Sequence, residues 1–160
     1  MPLKPLRIAA FAFISALTLA ACQNTPSTTG TTPTSPEKPP IPKKNTGPVT
    51  IQGNCQQRDE TDGYRDKISI AVKDNVVSAL DWTANPRSGS CRFQLKDFTQ
   101  VSSSPTADLQ SKKDKNCHLY VWQDDHHITV ASYSCRKLCR VNDKILPVLL
   151  DPQTGNCKAK

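Results

Sequence analysis

The signatures that most often betray chemistry are missing from these 160 residues. There is no Gly-x-Ser-x-Gly elbow, no glycine-rich phosphate loop, no arginine-rich helix, and no basic run longer than "KKDK" at residues 112–115. The first absence removes a common hydrolase nucleophile, and the others remove the usual means of holding a nucleotide or a nucleic acid. Apolar runs are short as well: residues 8–19, "IAAFAFISALTL", are twelve, against the roughly 20 that a membrane-crossing helix needs. Helical periodicity is nearly absent, which argues against a helix bundle or an α/β architecture.

What is present begins with a leader. Lys4 and Arg7 precede the apolar run, and Leu19, Ala20, Ala21 and Cys22 close it, the order of charge, apolar core and small residues found in an export signal. The "LAAC" stretch resembles a bacterial lipobox. That resemblance implies a signal peptide at residues 1–21, an acylated Cys22, and attachment to a membrane through the N-terminal lipid. Residue 23 is Gln, not the Asp that resembles an inner-membrane retention signal. The outer membrane is therefore the expected destination, with the domain in the periplasm or at the cell surface. Several acyl chains hold a protein far more firmly than one, since each buried methylene contributes about 0.8 kcal/mol.

Residues 22–48 form the tether. From Gln23 to Pro48 they are rich in Pro, Thr and Ser, with Ile41 as the single bulky apolar residue, too little to bury a core. A coil of that length spans on the order of 30 Å.

The remaining residues, 49–160, hold 16 Lys and Arg against 13 Asp and Glu, so much of the formal charge of +7 sits in the tails. Nucleic acid is accordingly not an expected partner. With Cys22 taken by lipid, six cysteines remain: Cys55, Cys91, Cys117, Cys135, Cys139 and Cys157. In a small exported domain they read as three disulfides, each contributing typically about 2 to 4 kcal/mol. Cys135 and Cys139 have a spacing that suits metal, but export and even parity favour disulfides, so no metal and no cofactor is expected. Of the fifteen pairings possible, Cys139 with Cys157, Cys91 with Cys117, and Cys55 with Cys135 is the expected set. The first closes a local loop and the second joins two strand starts.

Period-two alternation dominates this region. Ile68, Ile70 and Val72 alternate with Lys67, Ser69 and Ala71, the pattern of a half-buried hairpin. A three-residue loop, Lys73-Asp74-Asn75, pairs Val72 with Val76 and Ile68 with Leu80. A two-residue loop at Asp74-Asn75 would set Asp81 against Ile68. Further strands are expected in "CRFQL", with Phe93 and Leu95 inward, in "CHLYVW", in "HITVASYS", and in "ILPVLL", where Pro147 indicates an edge. Together they predict an all-β fold, a small antiparallel barrel or sandwich of about seven to eight strands, stapled by disulfides.

The densest polar cluster is "WQDDHHITV", residues 122–130. With Asp124-Asp125 as the hairpin loop, Val121 opposes Ile128 and Leu119 opposes Val130. His126 and His127 then point to opposite faces and cannot share a metal. The other face of this hairpin collects Tyr120, Trp122, His127 and Tyr133, with Trp122 across from His127. Either these rings are exposed anchors for a protein or glycan partner, or another layer covers them as core.

No catalytic residues are expected: the cysteines are oxidised, Ser102, Ser103 and Ser104 read as loop, and adjacent carboxylates do not flank a cleft. In size, anchor, disulfides and expected barrel the chain is similar to periplasmic lipoproteins that inhibit c-type lysozyme. The likeness is architectural, since their Ser- and Tyr-containing loop has no residue-by-residue counterpart here. It implies a non-enzymatic domain that inserts a loop into a hydrolase cleft, with Arg87 of "NPRSGSC" pairing with acidic residues there. The competing expectation is an accessory envelope lipoprotein that docks on another membrane protein or on peptidoglycan.

Overall fold

The structure, a computed structural model, describes residues 47–59 and 63–158. The expected leader, Cys22 and all of the tether but Gly47 and Pro48 lie outside the described residues. Nine strands follow in order: β1 (Ile51–Arg58), β2 (Arg65–Lys73), β3 (Val76–Asn85), β4 (Cys91–Gln94), β5 (Phe98–Ser102), β6 (Ala107–Ser111), β7 (His118–Gln123), β8 (Ile128–Tyr133) and β9 (Val148–Leu150). A single helical turn, α1 (Arg136–Cys139), sits between β8 and β9, and a 3-10 turn, Leu95–Asp97, between β4 and β5.

Every pairing is antiparallel and sequential: β1-β2-β3-β4 form one sheet and β5-β6-β7-β8-β9 the other. The fold is therefore the all-β, disulfide-stapled class expected, with nine strands. The sequence reading names no strand at 51–58, 98–102 or 107–111. Pro147 does precede an edge strand: β9 ends the five-strand order beside β8, and on its other side meets no further strand, only the isolated Leu150–Cys157 bridge. Leu95 falls in the 3-10 turn and is half-buried, whereas Phe93 is fully inward.

Alternation gives each sheet one apolar face, and a single core takes residues from both. Ile68, Trp82 and Phe93 come from the first sheet, Leu109, Leu119, Val121, Ile128, Val130 and Leu150 from the second, all essentially inaccessible to water. Trp82 and Phe93 pack with centroids 4.9 Å apart and their rings tilted by 42°. At roughly 1.5 to 3 kcal/mol per large side chain, this burial is the main favourable term in folding.

The first hairpin departs from the expected register. Asp74 and Asn75 both have positive φ, 51° and 63°, the pair a two-residue type I′ turn requires. Lys73 opposes Val76 and Val72 opposes Val77, which corrects the expected Val72–Val76 and Ile68–Leu80 pairs. The turn alone would oppose Ile68 to Asp81. A β-bulge at Ala71/Val72 takes up one residue of β3, so that Ile70 meets Leu80 and Ile68 meets Trp82. The bulge restores the apolar phase that the short turn breaks.

The disulfides also differ from the expected pairing. Cys55 bonds Cys157, Cys91 bonds Cys139, and Cys117 bonds Cys135. The cause lies in how the ends meet. After β9 the chain turns at residues 151–155, so that Cys157 bridges back to Leu150 and Gly155 lies against Gln52 and Gly53 of β1. The last cysteine thus reaches the first strand, and the others pair inside that closure.

Candidate functional site

Two surfaces collect the residues that the sequence singles out. The first is the outward side of the second sheet. Tyr120 and Trp122 leave β7 on the face away from the main core and form a small separate cluster with Ala131 of β8, with Tyr133 packed against it. Tyr120 stacks on His118 at 5.8 Å with the rings 9° from parallel, and Tyr133 lies 6.5 Å from Tyr120. These rings are largely buried: Tyr120 is 6 % and Trp122 8 % exposed. Burial first, then Asp108 and Tyr133 beside it, pushes the Tyr120 hydroxyl up to about 12, because each disfavours the phenolate.

His127 does not join them. Gln123 opposes Ile128, Val121 opposes Val130, and Trp122 opposes Thr129, a two-residue shift from the expected register that leaves the faces unchanged. The physical reason is the Asp124 carboxylate. Its Oδ1 accepts the amides of His126 and His127, both at 2.9 Å, and the Asp124 amide donates to the His127 carbonyl at 3.0 Å. The loop is thereby four residues, 124–127, and His127 Nε2 lies 3.0 Å from Asp124 Oδ2. Burial opposes ionisation of Asp124, but the two amides and the neighbouring imidazoles together outweigh it and hold the carboxyl below the ordinary aspartate range.

The sequence reading misses a pair that β6 creates. Asp108 stands beside His118, whose Nδ1 lies 2.7 Å from the carboxylate while its Nε2 lies 3.1 Å from the Lys115 carbonyl. Both ring nitrogens face acceptors. A general base needs one nitrogen turned toward the proton it removes, and the Lys115 carbonyl occupies that side.

The second surface is built by two loops. Arg87 is exposed in the turn between β3 and β4, and that turn is fastened to the segment after α1. Ser88 Oγ accepts the amides of Asn142 and Asp143, both at 3.1 Å, and the Ser88 amide donates to Asp143 Oδ2 at 2.7 Å. Cys139 is bonded to Cys91 at the start of β4, and Cys135 to Cys117 just before β7. Both ends of the helical turn are therefore covalently tied to the sheets.

This platform displays Arg136, Lys137, Arg140 and Lys144 beside Arg87, all exposed. Asp143 is its one acid from residue 135 to residue 144. Arg136, Lys137 and Arg140 line a concavity of about 410 Å³ with Val141 and Asn142, and among the described residues no carboxylate pairs with those three cations. Arg92, by contrast, is engaged: it donates twice to Asp81. Arg140 ends α1 in the left-handed region at φ 57°, where the Val141 amide closes on the Arg136 carbonyl at 3.2 Å. Glycine adopts that conformation without penalty, whereas other residues meet a cost on the order of 1 kcal/mol. A side chain kept where none is needed for the turn is the local inconsistency that functional surfaces show. The signal in the sequence was the Cys135-x-x-x-Cys139 spacing, whose intervening cations go unweighed when it is read for metal alone. Comparison with protein-family models, curated proteins and solved structures finds no match to this chain.

Proposed function

We propose that the chain is a lipid-anchored lipoprotein of the cell envelope whose β domain binds a partner without catalysing a reaction. The observation that carries this reading is the double attachment of the Arg87 turn and the 135–144 loop. Loops held that rigidly lose little conformational freedom on binding, which preserves affinity. The closed-off His118 ring supports a non-catalytic role. The aromatic cluster contributes less to the contact surface, because Tyr120 and Trp122 are mostly out of reach. Inhibition of a host hydrolase such as lysozyme is the specific form of this reading, with the cations entering an acidic cleft. Docking on another envelope component is the alternative form.

The test is a pull-down from envelope extract and from host secretions with the mature chain, alongside a lysozyme assay. The variant Arg87→Glu with Lys144→Glu is expected to lose the captured partner or the inhibition. Its melting curve is recorded alongside, so that loss of capture counts only where the fold is retained. A captured set unaltered by the charge reversal would remove the platform from the reading. Fatty-acid labelling checks the anchor: Cys22→Ser should abolish incorporation.

A further inference from the structure

We infer that the concavity formed by Arg136, Lys137 and Arg140 is a docking site for the phosphate groups of an anionic lipid surface. The inference rests on the reading of the platform as the contact surface and names what it meets. Three cations line one hollow, and among the described residues no carboxylate is paired to them. A single carboxylate is satisfied by one guanidinium fork, whereas a phosphate presents more oxygens and needs donors from several directions. Two guanidiniums and one ammonium around one hollow therefore oversupply a carboxylate and suit a phosphate.

The arrangement around the hollow favours a surface over a single soluble phosphate. Arg87 and Lys144 lie outside the set that lines it, yet the Ser88 hydrogen bonds hold their two loops together. One small anion held in the hollow leaves Lys144 outside its reach, whereas a sheet of headgroups meets Lys144 together with the three cations of the hollow. The covalent ties through Cys91–Cys139 and Cys117–Cys135 keep the cations in place, so the field they make is fixed before contact. Tethered at residue 22 by lipid, as proposed, the domain would be brought to such a surface by its own anchor, and docking would set the face it turns outward.

The experiment uses the chain from residue 22 with Cys22→Ser, which keeps every described residue and removes acyl anchoring. It is sedimented with phosphatidylglycerol-containing vesicles and with phosphatidylcholine vesicles, at low and at high salt. Binding to the anionic vesicles alone, weakened by salt, is the expected result. Each cation near an anionic surface contributes enough that removing three should weaken binding on the order of 100-fold. The variant carrying Arg136→Gln, Lys137→Gln and Arg140→Gln should show that loss, while Lys67→Gln with Lys73→Gln, exposed cations of β2, should not. Equal binding to both vesicle types, or full binding by the triple variant, overturns the inference. Saturable binding of inorganic pyrophosphate without vesicle binding also overturns it, in favour of a soluble phosphate. Loss of a captured protein partner in the triple variant, with no vesicle binding, would sink the lipid surface and leave the platform reading intact.

Discussion

Asp66 is the residue on which one end of the core turns. It is 1 % exposed, on β2 beside the largest core side chain, and both of its oxygens accept hydrogen bonds. Trp82 Nε1 donates to Oδ1 at 2.8 Å and Gln57 Nε2 to Oδ2 at 3.2 Å. The Tyr64 hydroxyl also bonds to it, and accepts the Leu146 amide at 3.1 Å. A buried acceptor with three donors aimed at it specifies one packing of strands β1, β2 and β3. Asp66→Ala orphans those donors at about 1 to 3 kcal/mol each, so a loss of roughly 3 kcal/mol or more is expected in chemical denaturation. A change under about 1 kcal/mol would show that water satisfies them instead. The same scale gives a titration. Tyr120 is raised to about 12 and Tyr64 higher still, in each case by burial first. A raised folded value means stability that is complete below the unfolded value of about 10 and lost as pH rises through the folded one. Phenolate absorbance should therefore leave Tyr120 and Tyr64 un-ionised at pH 10.5, and Tyr120→Phe should extend the native range upward in pH.

At the scale of elements, alternation is enough to read β2 and β3, which bury one face, and β7 and β8, whose aliphatic residues alternate with Tyr120, Trp122 and Ala131 even though both faces are buried. Where polar residues interrupt the alternation, strands are not legible from sequence. β5 and β6 carry Gln100, Asp108 and Gln110 between their apolar residues, and only the fold shows why. Gln100 bridges the sheets, accepting the Val77 amide at 3.0 Å and donating to the Asn75 carbonyl at 2.6 Å. The bulge at Ala71/Val72 was illegible for a related reason: turn and apolar phase conflict locally, and the conflict is resolved by one extra residue. Of the candidate site, Arg87 and the rings can be named from sequence, but the union of its turn with loop 135–144 depends on Ser88 and on a disulfide from β4 to α1. The joint between β1 and the chain end makes a sharp prediction. Gly155 has φ 71°, and a methyl group there would collide with the Gln52 carbonyl. Gly155→Ala meets both obstacles, and a destabilisation of several kcal/mol, about 2 to 4, is expected. Gly63→Ala, at φ 65° with open space around it, bears only the backbone cost and should lose about 1 kcal/mol. Equal melting temperatures for the two would mean that the joint yields.

The nine described strands form a sequential meander in which the first and last strands lie together, and the disulfides follow from that topology. Cys55–Cys157 encloses Cys91–Cys139, which encloses Cys117–Cys135, with separations of 102, 48 and 18 residues. Sequence proximity favoured joining Cys139 to Cys157, but in a nested meander the outermost cysteines sit together because the first and last strands do. Nesting also sets the energetics. With Cys91–Cys139 intact, the outer bridge closes a loop whose effective length is roughly half its separation, since the inner bridge short-circuits the middle of the chain. In the chain-entropy description, removing the outer bridge then costs about 4 kcal/mol and removing Cys117–Cys135 about 3 kcal/mol. The two losses differ by about 1 kcal/mol, but their consequences do not resemble each other. Cys55→Ala with Cys157→Ala should free the strand ends and leave the platform fixed. Cys117→Ala with Cys135→Ala should loosen one end of α1 beside Arg136, Lys137 and Arg140 while the closure of β1 on the chain end persists. Amide exchange separates them: the first variant should lose protection at β1 and residues 156–158, the second at residues 135–141. Uniform loss of protection in both variants would show that the sheets and loops open as one unit, so that the rigidity proposed for the platform belongs to the whole domain and not to its bridges.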